Sequence, residues 1–275
     1  MLQRILTGLI LAPLLVSVVL WGPKTAMTLV LVAAAAICAD ELVRMFATTR
    51  RRDRLVISAL AACVAASPLL GAAALTVGLS LAMCVWLFAC LASPGTVQDG
   101  AQRGALGALA LAYVGLLVAM LIAIFQQSAK PDGAAFDVGR GALMAVFVMV
   151  FMGDTGAYFA GRALGRHKLY ELVSPKKTVE GGIGGLVASV GGGAILSLWL
   201  VPAVPLLHGM VLGALCGAFG QVGDFAESLF KRATGTKDSG TLLPGHGGML
   251  DRVDGVLFAG PVVMAYLLWS GLGTF

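Results

Sequence analysis

Nine apolar stretches divide the chain, at 5–22, 25–46, 55–71, 73–92, 105–125, 142–163, 181–200, 205–227 and 255–275. About 20 apolar residues in helical conformation cross a bilayer core, and each stretch approaches or exceeds that length. The pattern predicts an all-α fold, a polytopic membrane helical bundle of about nine transmembrane helices. The third and fourth stretches meet at Gly71 with almost no linker. Residues 1–140 hold about five spans with short connections. Residues 141–275 hold four spans and two long polar loops, 162–180 and 228–254, so this C-terminal region is expected to carry the chemistry. The N-terminal apolar stretch is longer than a signal-peptide core and lacks a nearby small-x-small site, so it reads as a retained span.

Charge adds an orientation. Of 19 Lys and Arg, only Lys24, Lys130 and Arg140 fall in the segments that would lie outside if the N-terminus is cytoplasmic. The other 16, including Arg50, Arg51, Arg52 and Arg54, fall inside. Both long polar loops, and with them any site they form, are therefore expected on the cytoplasmic side of the inner (plasma) membrane. In a soluble domain the net charge of +5 would suggest nucleic acid; with 59% hydrophobic residues the cations serve topology and anionic lipid instead, and no nucleic-acid partner is expected. The five cysteines lie in apolar runs without CxxC spacing and read as small buried hydrophobes.

The polar stretch 228–254 is an island among apolar spans. Seven of its 27 residues are Lys, Arg or Asp and five are Gly. Lys231, Arg232, Lys237 and Arg252 suit anionic groups; Asp238, Asp251 and Asp254 are hard oxygen donors suited to Mg²⁺. Gly247 and Gly248 beside His246 let backbone N–H groups approach a ligand. Upstream, Asp224, Glu227, Ser228 and Lys231 share one helical face. A solvated connector is the plain alternative.

Earlier in the chain, Asp154, Tyr158, Gly161 and Arg162 also share a face. Asp154 lies more than two turns inside its span, where an unpaired charge costs about 2.5–3.5 kcal/mol on insertion scales, so it should meet a cavity or a cation. Ser174–Pro175 reads as a helix start with Lys176 and Lys177 in the first turn. Cations there oppose the helix dipole unless an anion such as phosphate is bound. Asp40, Glu41 and Arg44 read as a local i, i+3/i+4 set, and His167 as a surface residue. Gly181/Gly185 and Gly213/Gly217 form GxxxG pairs, suited to packing within the chain or across a homodimer.

The 228–254 stretch closely resembles the signature of the phosphatidate cytidylyltransferases. The matching positions are Ser228, Lys231–Arg232, Lys237–Asp238, Pro244, His246–Gly247–Gly248, Asp251–Arg252 and Asp254. The run from Asp154 through Ser174–Thr178 to Glu180–Gly181 is similar to the same family. The resemblance implies transfer of CMP from CTP to phosphatidate, a membrane lipid, giving CDP-diacylglycerol and pyrophosphate in phospholipid biosynthesis. It implies a nucleotidyltransferase needing Mg²⁺, with a second cation conceivable. On it, Asp224, Asp251, Lys231, Arg232, Lys237, Asp238 and Arg252 are the expected catalytic set. Ser174, Lys176, Lys177, Ser228, His246, Gly247, Gly248, Asp154 and Arg162 would bind substrate, and Asp224, Asp251 and Asp254 would hold metal. Two other readings stand beside it: a CTP-dependent lipid kinase, and a transporter, against which the absence of an internal repeat counts.

Overall fold

The computed structural model describes residues 12–46, 50–93, 95–242 and 247–274. Eight helices are long and apolar enough to cross a membrane: α1 (Lys24–Met45), α2 (Arg51–Leu70), α3 (Ala72–Ala92), α4 (Val97–Gln126), α5 (Val138–Leu164), α6 (Val179–Leu200), α7 (Leu206–Ala233) and α8 (Leu250–Trp269). Each coincides with one of the sequence-predicted spans. Residues 12–20 are helical too, within the first predicted span; the rest of that span and Arg4 lie outside the described residues. The protein is a multi-pass membrane protein. Its outer faces carry bare apolar side chains, as on α3, where Leu81, Val85, Phe88 and Leu91 point outward. Such faces suit acyl chains. Gly71, with φ +106°, makes the abrupt turn between α2 and α3.

The helices α1–α3 and the first part of α4 form one group, and α5–α8 another; the second part of α4 packs against α8 and α5 and joins them. A buried ion pair pins the first group: Arg103 meets both carboxylate oxygens of Asp53 at 2.6 and 3.0 Å and donates to the Ser93 carbonyl at 2.6 Å. Glycine-rich contacts draw α5–α8 together. A Cβ on Gly156 would strike Ala188 and the Gly184 carbonyl, and one on Gly193 would strike Gly209. Gly181 and Gly185 lie against α5, and Gly213 and Gly217 against Ser189 of α6. Both GxxxG pairs are therefore used inside the chain. Gly223 faces Asp254 of α8 at equally short range, and Gly220 lies against Gly255 at ordinary contact distance.

Charges sort to the two helix ends. At one end Lys24 (to Asp137 at 3.4 Å), Arg140 (to Asp137 at 3.2 Å) and Gln127 cluster. These include two of the three cations assigned to the outside. Both long polar loops lie at the other end.

Three expectations need correction. The segment Ser174–Thr178 is a β-strand (β2), paired antiparallel with Lys168–Tyr170 (β1), so the fold has one small hairpin that the apolar pattern did not announce. The helix after it starts at Thr178, whose hydroxyl accepts from Gly181 N at 3.1 Å. Lys176 and Lys177 thus precede the helix and meet no dipole penalty. Pro175 fits because it needs no amide donor in an edge strand. The Asp40, Glu41 and Arg44 set is not local either. Asp40 forms a two-pronged pair with Arg54 at 2.7 and 2.8 Å, and Glu41 reaches the start of α8. Among the cysteines, Cys38, Cys90 and Cys216 are buried, but Cys63 and Cys84 sit on exposed faces.

Candidate active site

A cavity of about 560 Å³ opens where the hairpin meets α5, α6 and α7. Its charged lining is Asp154 and Arg162 from α5, Lys176 and Lys177 from β2, and Asp224 from α7. Ala157, Leu169 and the glycines 161, 181 and 182 supply apolar and open wall. The hairpin exists because β1 and β2 pair, and the Val179 amide then donates to the His167 carbonyl at 2.9 Å, turning the chain into α6. That turn swings both lysines over the cavity mouth. Lys177 meets Asp224 at 2.5 Å and lies 4.3 Å from the centroid of the Phe225 ring. Arg162 is steadied by the Tyr158 hydroxyl at 3.0 Å. Lys176 is exposed.

The carboxylates converge from three helices. Asp154 and Asp224 repel one another, and Asp254 repels both. Lys177 and Arg252 are the cations that offset Asp154. The close approach of Gly223 to Asp254 brings α7 and α8 into this register. Asp154 is therefore a cavity residue in a mixed-charge field, as its depth in the span required.

A second charged group sits next to the first, two turns further along α7. Lys231 binds Glu227 and, at 2.7 Å, Asp251 Oδ1. Asp251 Oδ2 accepts from Ser239 N (2.9 Å), Ser239 Oγ (2.9 Å) and Gly248 N (2.8 Å). Gly247 takes φ +81°, and a Cβ there would meet Asp251 Oδ2 at 2.7 Å. Ser228 donates to Asp224 at 3.3 Å, joining the two groups. The predicted helical face of Asp224, Glu227, Ser228 and Lys231 is present, and Asp251 and Asp254 open α8 as expected.

The expected site residues divide accordingly. Asp154, Arg162, Lys176, Lys177 and Asp224 share the cavity, with Asp254 and Arg252 within electrostatic reach. Lys231, Asp251, Gly247 and Gly248 belong to the second group. Arg232 is exposed and donates to the Val173 carbonyl at 3.2 Å. Lys237 and Asp238 are exposed on the connecting loop, and Ser174 is half-buried at the start of β2. His246 and Pro244 lie outside the described residues. His167 is a surface residue as expected, hydrogen-bonded to Glu180 at 2.6 Å.

Sequence reasoning left Glu227, Ser239, Gln221 and Thr178 out of the site. Glu227 was visible through its helical spacing from Asp224. The structure shows why it matters: its Oε1 is buried with no hydrogen-bond partner among the described residues. A buried carboxylate oxygen without a donor is costly, and a proton, a water or a cation would satisfy it. Asp254 adds negative charge beside it.

Comparison with known proteins agrees with this geometry. A model of the cytidylyltransferase family matches residues 2–270. The phosphatidate cytidylyltransferase of Staphylococcus saprophyticus is 42% identical over 126 residues, covering 46% of this chain and 48% of the relative. That of Staphylococcus haemolyticus is 37% identical over 168 residues, covering 58% and 57%. That of Staphylococcus aureus is 38% identical over 168 residues, covering 59% and 58%. The chain thus spans about half the length of the curated relatives it matches. With the family model running almost from end to end, the chain belongs to the cytidylyltransferase family.

Proposed function

We propose that the protein transfers CMP from CTP to phosphatidate, releasing pyrophosphate and forming CDP-diacylglycerol. The carrying observation is the cavity itself: Lys176, Lys177, Arg162, Asp154 and Asp224 line one space large enough for a nucleotide headgroup, with Lys177 already paired to Asp224. In the reaction a lipid phosphate oxygen attacks the α-phosphorus of CTP in line, and the bond to the bridging oxygen of pyrophosphate breaks. A phosphate monoester has a second pKa near ~6, so the nucleophile is already ionised and needs no general base. The remaining task is to hold two polyanions together. Lys176, Lys177 and Arg162 do this by charge, and the Gly181–Gly182 backbone lets phosphate come close. Ala157 and Leu169 give the lipid's glycerol end an apolar wall.

A divalent cation belongs to the same proposal. The donor set fits one: Asp224, Asp254 and Asp154 crowd negative charge together, and Glu227 holds an unpartnered oxygen nearby. Among the described residues no cluster of three or more His, Cys, Asp or Glu is preformed for a metal. Asp224 and Asp254 would hold the ion, and Asp251 would join only by releasing donors from Lys231, Ser239 or Gly248. Mg²⁺ bound there would neutralise the charge that builds up on pyrophosphate.

The proposed setting is the inner membrane with the cavity facing the cytoplasm, supported by the Lys/Arg bias and by the clustering of Lys24 and Arg140 at the far end. A cysteine at exposed Thr241, in a Cys-free background, is expected to react with impermeant thiol reagents only after the inner membrane is opened. Labelling in intact cells would reverse the orientation. For the chemistry, purified protein with labelled CTP and phosphatidate is expected to give lipid-linked CMP and pyrophosphate in equal amounts. Release of CDP without pyrophosphate would make it a kinase.

A further inference from the structure

Glu41 sits on α1, 183 positions before Asp224 and far from both polar loops in sequence. Its side chain is nevertheless buried against the signature. Its carboxylate accepts from Met249 N at 3.0 Å and Leu250 N at 2.8 Å, and from Ser239 Oγ at 3.5 Å. Those two amides belong to the N-cap and the first residue of α8, where backbone N–H groups have no partner within the helix. α8 has no side-chain cap of its own: the residue before it, Met249, cannot supply one. Glu41 fills that role from another helix, and its charge suits the positive end of the α8 dipole.

The neighbouring glycines are shaped to Glu41. A Cβ on Gly240 would strike the Glu41 side chain, at Oε1 first. A Cβ on Gly248 would strike Ser239 Oγ and come within 2.7 Å of Glu41 Oε2. Ser239 also holds Asp251, so Glu41 and Asp251 share one hydroxyl. The two ends of the polar loop, Ser239–Gly240 and Gly248–Leu250, are thus gathered on a single carboxylate from the N-terminal helices.

The geometry points to Glu41 as a positioning residue for the transferase site: it fixes the start of α8, and through it the placement of Asp251, Arg252 and Asp254. Glu41 does not line the cavity. Its effect on turnover rests on the transferase reading; the clamp itself rests on the hydrogen bonds alone. A carboxylate that shapes the site without touching ligand should govern kcat more than KM, because misplacing reacting groups by about 1 Å can lower rate about 100-fold.

The test uses the full chain in detergent micelles with CTP, phosphatidate and Mg²⁺. Glu41→Gln is expected to lower kcat about 10- to 100-fold with little change in either KM. Hydrogen exchange at Met249 and Leu250 should speed up at least about tenfold, because their acceptor has weakened. Gly240→Ala should lose activity by pushing the carboxylate away. Glu41→Asp shortens the side chain and makes room, so the double variant Glu41→Asp/Gly240→Ala should be no worse than Glu41→Asp alone. Wild-type kcat in Glu41→Gln, unchanged exchange at the two amides, or multiplying losses in the double variant would each overturn the proposal. If the wild-type protein made no CDP-diacylglycerol, the transferase reading would fall, and the exchange measurement would still decide whether Glu41 clamps α8.

Discussion

The cavity and the knot of bonds at the start of α8 hold similar residues to different ends. In the knot, Lys231, Asp251, Ser239, Gly248 and Glu41 bind one another, and protein donors satisfy the Asp251 and Glu41 oxygens. In the cavity, Lys176 and Arg162 find no carboxylate partner within ion-pair range among the described residues, while Asp154 and Asp224 repel each other. Charges spent on protein contacts build a frame; charges left facing open space are available to a ligand. The charged residues of the C-terminal half thus fall into a part bonded within the protein and a part that faces open space.

The division can be broken most forcefully at Lys231. Replacing it by Met leaves Glu227 and Asp251 buried without their cation, a loss of about 3–5 kcal/mol. Lys231→Met is expected to lower the denaturation midpoint strongly, with any residual activity tracking the folded fraction. A normally stable variant that had lost only CTP use would move Lys231 into the cavity group.

Asp224→Asn should do the opposite. The residue lines the cavity and, among the described residues, pairs with Lys177 and Ser228. Stability is expected to change by less than about 1 kcal/mol, as for a half-exposed ion pair. Activity is expected to fall about 10²–10³-fold, the range for removing one group that stabilises developing charge. Titrating Mg²⁺ sharpens the result: a raised Mg²⁺ requirement supports a cation at Asp224, and an unchanged one removes it.

Much of this was legible in the sequence because membrane spans impose length and apolarity on any chain. All eight described spans coincide with predicted ones, and the helical face from Asp224 to Lys231 followed from spacing alone. The Ser174–Thr178 strand was not legible, since a three-residue partner strand carries almost no periodic signal. Ser-Pro then imitated a helix start, when the true cap was Thr178. Glu41 was visible as a charge at a span end but not as a clamp. Its partners are backbone amides 208 and 209 positions away, and a backbone amide has no residue identity to read. For the same reason sequence could not separate Lys231 from Lys176: only packing shows that Glu227 and Asp251 hold Lys231 while Lys176 is exposed at the cavity.

The central claim is that β2 holds the polyanion-binding cations, and the Lys176→Ala/Lys177→Ala variant tests it most directly. The measurement is KM and kcat for CTP and for phosphatidate, alongside the denaturation midpoint, in the wild type and the double variant. Each lost charge-assisted contact is worth about 1.5–3 kcal/mol, so kcat/KM for at least one substrate is expected to fall by more than about 100-fold. The midpoint should stay close to the wild type, since neither lysine is buried. Wild-type kinetics for both substrates would contradict the account, and so would a loss explained wholly by unfolding.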